Sequence, residues 1–149
     1  MSMFHSFDIN ASGLTAEQYR MDIISGNIAN ANTTRTEDGT PYRRKVVTFT
    51  EKGNRPSFSQ ILERSRRNVA GTGVKVDGVH EDNETEMRMV YDPAHPDADE
   101  NGYVTLPNVN IITEMTNLID ASRGWDANNT AFTTSKAIAM KGLEIGSNS

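Results

Sequence analysis

Between Pro107 and Ile145, apolar side chains recur in steps of four and three: Ile111, Met115, Leu118, then Ser122 and Trp125, with Phe132, Ala139 and Leu143 continuing the line. No proline follows Pro107. The spacing predicts one stripe along a helix of about ten turns, roughly 50 Å long at about 1.5 Å per residue. It has the form of a heptad seam. The middle of this stretch, Asp126-Ala127-Asn128-Asn129-Thr130 and then Thr133-Thr134-Ser135, with Gly124 and Gly142 nearby, is poor helix-forming sequence. Residues of these types cost a few tenths to about 1 kcal/mol each relative to alanine. A helix this weak needs a surface to pack on, and a stripe this long points to a partner helix rather than to an ordinary globular core.

The first 30 residues repeat the pattern. Phe7, Ala11, Leu14, Met21, Ile24 and Ile28 fall near one face, again without proline. Ser12 and Gly13 leave the start of this helix open. Asn30-Ala31-Asn32-Thr33-Thr34 predicts its end, because Asn and Thr side chains compete for backbone hydrogen bonds.

All five prolines lie between the two helices or at their border. The interior reads as short strands, with β-branched and aromatic residues in partial alternation over Pro41–Thr50, Thr72–His80, Thr85–Tyr91 and Gly102–Leu106. Gly71, Gly73, Gly78 and Gly102 are expected to turn between them. Ser57–Arg67 reads either as a short helix or as a loop. In the first reading Ser57 and Gln60 form a capping box and Phe58, Ile61 and Leu62 face inward; in the second the loop ends in the basic run Arg64, Arg66, Arg67. The expected class is α+β: a helix within residues 1–35, a small β-rich insert over 36–106, and a long helix within 107–149, the two helices pairing as a coiled coil does.

Composition narrows the function. Hydrophobic residues make up 36% of the 149, a lean supply for a self-sufficient core. The net charge of −5 argues against a generic nucleic-acid binder. Cysteine is absent, which excludes disulfides and thiolate metal sites. The first residues show neither a basic n-region nor a long apolar run, so no signal peptide or membrane anchor is expected. Charge is segregated: residues 35–67 carry nine Lys/Arg and four Asp/Glu, whereas 81–100 carry eight Asp/Glu and only Arg88. Opposite surfaces on one small insert suit head-to-tail packing of neighbouring copies.

Chemistry finds little support. Asp97, Asp99, Asn101 and Gly102 match the opening of a calcium loop, but its twelfth position falls on Asn108, where a glutamate is required. A rigid turn is the expected reading. His95 with Asp92 and Asp97 can be drawn as an acid/base cluster, yet a histidine flanked closely by Pro93 and Pro96 on an acidic loop is expected to be structural. The phosphate loop, the nucleophile elbow and HExxH are all missing. No enzyme and no cofactor is expected. Trp125 is expected to pack on the helical stripe and to anchor contact with another helix.

Several phrases together resemble one family. Ser12-Gly13-Leu14-Thr15-Ala16 and Asn27-Ile28-Ala29-Asn30-Ala31-Asn32-Thr33 resemble the shared N-terminal signature of bacterial flagellar rod and hook proteins. Gly39-Thr40-Pro41-Tyr42-Arg43-Arg44, Tyr91-Asp92-Pro93, His95-Pro96-Asp97-Ala98-Asp99, Gly102-Tyr103-Val104 and Pro107-Asn108-Val109-Asn110 are similar to the proximal-rod proteins in particular. Glu114-Met115, Ala121-Ser122-Arg123 and Ala127-Asn128 extend the match, which covers nearly the whole chain. Trp125 stands where the family commonly has tyrosine, and Ser25-Gly26 precede Asn27 where a small residue and a second Asn are usual. Glu51–Arg67 is the least family-like stretch.

The resemblance implies a structural protein whose terminal helices pair and stack into the inner tube of a helical shaft. Its partners would be other flagellar rod proteins, basal-body ring and adaptor proteins and copies of itself, with no nucleic acid and no insertion into a membrane. It also implies passage through the flagellar export apparatus, unfolded and without a cleaved signal. Before assembly the terminal helices are expected to be largely disordered, since their stripes have nothing to bury.

Overall fold

The computed structural model describes residues 3–53, 62 and 72–147. Helix α1 spans Met3–Ala29, strands β1 to β4 span Lys45–Glu51, Val74–Glu81, Arg88–Tyr91 and Tyr103–Leu106, and helix α2 spans Ile111–Ser147. The class is α+β, with helices at the two ends and small antiparallel sheets between. The short helix or loop considered for Ser57–Arg67 lies outside the described residues, apart from Leu62 alone, as does the turn at Gly71.

α1 runs unbroken through Ser12 and Gly13 and ends within a residue of the predicted stop. There the Asn30 side-chain amide donates to the Gly26 carbonyl and its oxygen accepts the Thr33 hydroxyl, closing the helix. α2 starts at Ile111 because Asn110 accepts the backbone N–H groups of Ile112 and Thr113. In its weak middle the polar side chains bond back to the preceding turn. The hydroxyls of Thr130, Thr133 and Thr134 donate to the carbonyls of Asp126, Thr130 and Thr130, and the Asn128 amide donates to Gly124.

All four strands form, each narrower or shifted relative to the expected spans. β1 and β2 make a two-stranded sheet. Arg44, just before β1, accepts from Asp82, just after β2, and Lys52 donates to Gly73, which makes the pairing antiparallel. β3 and β4 make an antiparallel ribbon in the register Arg88↔Leu106, Met89↔Thr105, Val90↔Val104 and Tyr91↔Tyr103. Gly73 and Gly102 have positive φ of 99° and 79°, as turns require. Gly78 corrects the sequence reading: it lies inside β2 rather than in a turn.

Contacts divide the chain into two compact units. One comprises Met1–Tyr19, Phe49–Asp77 and Ser122–Ser149, the other Arg20–Thr48 and Gly78–Ala121. In the first, Phe7 and Phe132 meet edge to face at 5.1 Å. A Cβ on Gly13 would lie 2.7 Å from the Asn128 side-chain oxygen, and one on Gly124 would lie 3.2 Å from the Glu17 carboxylate. Position rises along α1 as it falls along α2, so the helices pair antiparallel here. The Ser12 hydroxyl donates to the Ile9 carbonyl and accepts from Val74 N–H, fastening β2 to α1. In the second unit the buried residues include Ile24, Ala31, Val104, Val109 and Ala121, joined by Asn27, Asn108 and Glu114. Three of these eight buried side chains are polar.

The stripe on α2 is displaced from the one expected. Leu118, Trp125, Phe132 and Ala139 do lie inward, but the companion row is Glu114, Ala121, Asn128 and Ser135, whereas Ile111, Met115, Ser122 and Leu143 are exposed. On α1, Phe7, Leu14, Met21 and Ile28 are half-buried and Ile24 is buried, while Ala11 is exposed. The deepest positions there are Gly13, Ala16, Ile24 and Asn27. Close helix contact selects small residues and hydrogen-bonding amides, and this leaves larger aliphatic residues on the flanks.

Candidate functional site

The most heavily constrained part of the second unit is a polar clasp built on Asn27, which is 0% exposed, and Glu114, which is 1% exposed. Asn27 projects from the last turns of α1. Its amide donates to the Lys45 carbonyl at 2.8 Å and its oxygen accepts Lys45 N–H at 2.9 Å. The side chain thus pairs with a strand residue as a neighbouring strand would, which supplies β1 with a partner at its first residue. The same oxygen accepts the Tyr42 hydroxyl at 2.9 Å.

From α2, Glu114 accepts the Asn27 amide at 2.9 Å on one oxygen. On the other it receives Arg44 Nε and Nη2, both at 2.9 Å, and the Asn117 amide at 3.2 Å. Arg44 reaches on to Asp82 at 3.4 Å. Its backbone N–H donates to the Asn108 oxygen at 2.8 Å, while the Asn108 amide donates to the carbonyls of Asp82 and Thr85. Pro107 is buried beside it. Two asparagines, one carboxylate and one guanidinium therefore join the end of α1, the entry to β1, the turn after β2 and the start of α2.

Electrostatics follow from this packing. Burial, and then the charges of Glu114 and Glu81, raise the Tyr42 phenol above its ordinary value, keeping it a proton donor. The Lys45 ammonium lies 5.7 Å from the same ring. Asp82 is held below the usual carboxylate value chiefly by the Thr85 N–H, then by the Thr85 hydroxyl, with smaller help from Glu84 N–H and Arg44.

The Asp92–Asp99 loop is the turn that its prolines and Asx residues predicted. Asp92 accepts Ala94 N–H, His95 Nδ1 accepts Asp97 N–H, and Asp99 accepts the N–H groups of Asn101 and Tyr103. Asp97 accepts the Thr34 hydroxyl at 2.8 Å and faces Arg35 at 3.8 Å, which ties the loop to the segment after α1. Pro93 and Pro96 are exposed within it. Among the described residues no trio of His, Asp and Glu is placed to hold a metal ion.

Of the remaining residues singled out in the sequence, Asn30 closes α1, Asn128 packs on Gly13, and Arg123 points to solvent. Glu114 and Arg44 stand within the family-like phrases, and the sequence does not single them out as site residues. Their signal is weak: a glutamate four residues after a helix cap, seven before Ala121, on a row with no large apolar member.

Apolar residues remain uncovered along α2. In the second unit Ile112, Met115 and Ile119, spaced three and four apart on one face, are 78%, 54% and 53% exposed. In the first unit Ile138, Leu143 and Ile145 are also exposed. No described helix is long and apolar enough to cross a membrane.

Comparison with known proteins agrees at both ends of the chain. Residues 7–35 match the family of flagella basal body rod proteins, and residues 100–145 match the C-terminal family of the flagellar basal body rod FlgEFG proteins. Over 98% of this chain and 99% of the relative, the sequence is 45% identical to the flagellar basal-body rod protein FlgC of Bacillus subtilis. Identity is 41% to FlgC of Borreliella burgdorferi over 97% of this chain and 98% of the relative. It is 37% to FlgC of Salmonella typhimurium over 98% and 99%. Rod-family matches at both ends, with identities of 37% to 45% over nearly the whole length, place the chain in the FlgC family of flagellar basal-body rod proteins.

Proposed function

We propose that this chain is a structural, non-catalytic subunit of the proximal rod of the flagellar basal body. There it assembles with other rod proteins and copies of itself into the helical shaft that carries motor torque to the hook. Full-length similarity to FlgC proteins is the observation that carries this reading. The paired terminal helices, with apolar residues left uncovered on α2, support it physically. In this reading residues 1–35 and 107–149 form the axial core and 36–106 the outward insert. Ring and adaptor proteins of the basal body are its further neighbours, and it reaches the rod through the flagellar export apparatus.

The mechanism is folding coupled to assembly. Helices rich in Asn, Thr and Gly gain little from their own backbone, so burial of the remaining stripe at the growing tip completes their order. Complementation tests the proposal: in a flagellated bacterium lacking its proximal-rod subunit of this family, the chain is expected to restore rods seen by electron microscopy. Leu118→Asp and Ile28→Asp are expected to abolish rods while synthesis stays normal. Rods built by either variant would contradict assembly through helix pairing.

A further inference from the structure

The β3–β4 ribbon carries an apolar face that belongs to neither the helix pair nor the clasp. Strand alternation puts Met89 and Tyr91 on one side, opposite Thr105 and Tyr103 in the neighbouring strand. Met89 and Tyr91 are each 64% exposed and Tyr103 is 42% exposed. On the other side Val104 is buried at 3%, while its cross-strand partner Val90 is 40% exposed. The two tyrosine rings meet edge to face at 5.2 Å, so the patch is preformed. Its surroundings are acidic: Glu84, Glu86, Asp92, Asp99 and Glu100 are exposed, and Arg88 is the only cation between residues 81 and 100.

We propose that this face docks the segment 52–67 of a second copy of the chain, an inference that rests on the rod-subunit reading. The segment is complementary in both respects. Lys52, Arg55, Arg64, Arg66 and Arg67 stand against the single anion Glu63, and Phe58, Ile61 and Leu62 supply apolar side chains. Leu62 is itself 51% exposed. Arginine pairs with carboxylates and also lies flat on tyrosine rings, which are the two features the ribbon offers. One chain carries both surfaces, and two different surfaces on one molecule meet head to tail, the geometry a helical polymer requires.

The chain contains no cysteine, so introduced cysteines report this contact directly. Two full-length copies with different tags, one Glu86→Cys and one Arg66→Cys, are co-expressed in cells lacking the native subunit, and isolated basal bodies are mildly oxidised. A disulfide-linked dimer carrying both tags is expected, and the pairing of Asp38→Cys with Arg66→Cys is expected to give none. Basal bodies that contain both variants without a mixed dimer overturn the docking and leave the rod reading intact. If neither variant nor the unmodified chain enters basal bodies, the rod reading fails and this inference with it. Charge exchange is the second arm. Glu84→Arg with Glu86→Arg, or Arg64→Glu with Arg66→Glu, is expected to lower incorporation about tenfold. The two sets combined restore it, and failure to restore overturns the docking.

Discussion

Asn27 and Glu114 show how single side chains replace larger structures. An amide that satisfies both backbone groups of Lys45 substitutes for a strand, and a carboxylate only 1% exposed is tolerable because four nitrogen donors converge on it. Removing one member is therefore worse than removing the pair. Arg44→Met strands the Glu114 charge and is expected to destabilise the second unit by about 3 to 5 kcal/mol, whereas Arg44→Met with Glu114→Leu loses much less. Urea unfolding of the two variants separates these outcomes. Asp82 adds a pH dependence. Its folded pKa lies below the ordinary 3.8, so its charged form stabilises the fold above that value, and the contribution is lost as pH falls through the lowered one. Asp82→Asn is accordingly expected to be less stable than the parent near neutrality, with the gap closing on acidification, as urea midpoints across pH would record. Gly13 acts through space alone: Gly13→Val would drive a side chain into Asn128 and is expected to separate α1 from α2, seen as loss of incorporation into rods.

Elements were more legible than faces. Both helices, their polar ends and four strands follow from proline placement, β-branched runs and the Asn-rich stop at residues 30–34, because local chemistry fixes them. The inward face of α2 was misjudged by one residue along half its length. Periodicity follows large apolar side chains, and here the tightest contacts belong to Ala121, Gly124 and Asn128 on one helix and to Gly13 and Ala16 on the other. The clasp was half legible: Asn27 and Asn108 stood out in family phrases, while the burial of Glu114 depends on Arg44, 70 residues away in sequence. Met115, expected inward, lies outward with Ile112 and Ile119. Ile112→Asp with Ile119→Asp is expected to leave the fold and its unfolding midpoint unchanged while abolishing rod assembly. A fall in midpoint without loss of rods would show that these residues serve the fold instead.

At the scale of the molecule, each of two small units draws on both long helices, and among the described residues neither unit has a large apolar interior. The described core rests on three alanines, two valines, one isoleucine, two buried amides and the Glu114 carboxylate. Apolar side chains capable of more burial are left outside, on α2 and on the β3–β4 ribbon. On the function proposed above, a chain arranged this way would gain order from its neighbours through the uncovered residues. Circular dichroism of the full chain tests this most directly, comparing dilute monomer with the same chain in isolated rods. The 27 residues of α1 and the 37 of α2 set the helical content of the folded form. The dilute monomer is expected to fall well short of that content and the assembled chain to reach it. A monomer already showing the full content, unchanged on assembly, would contradict folding coupled to polymer formation.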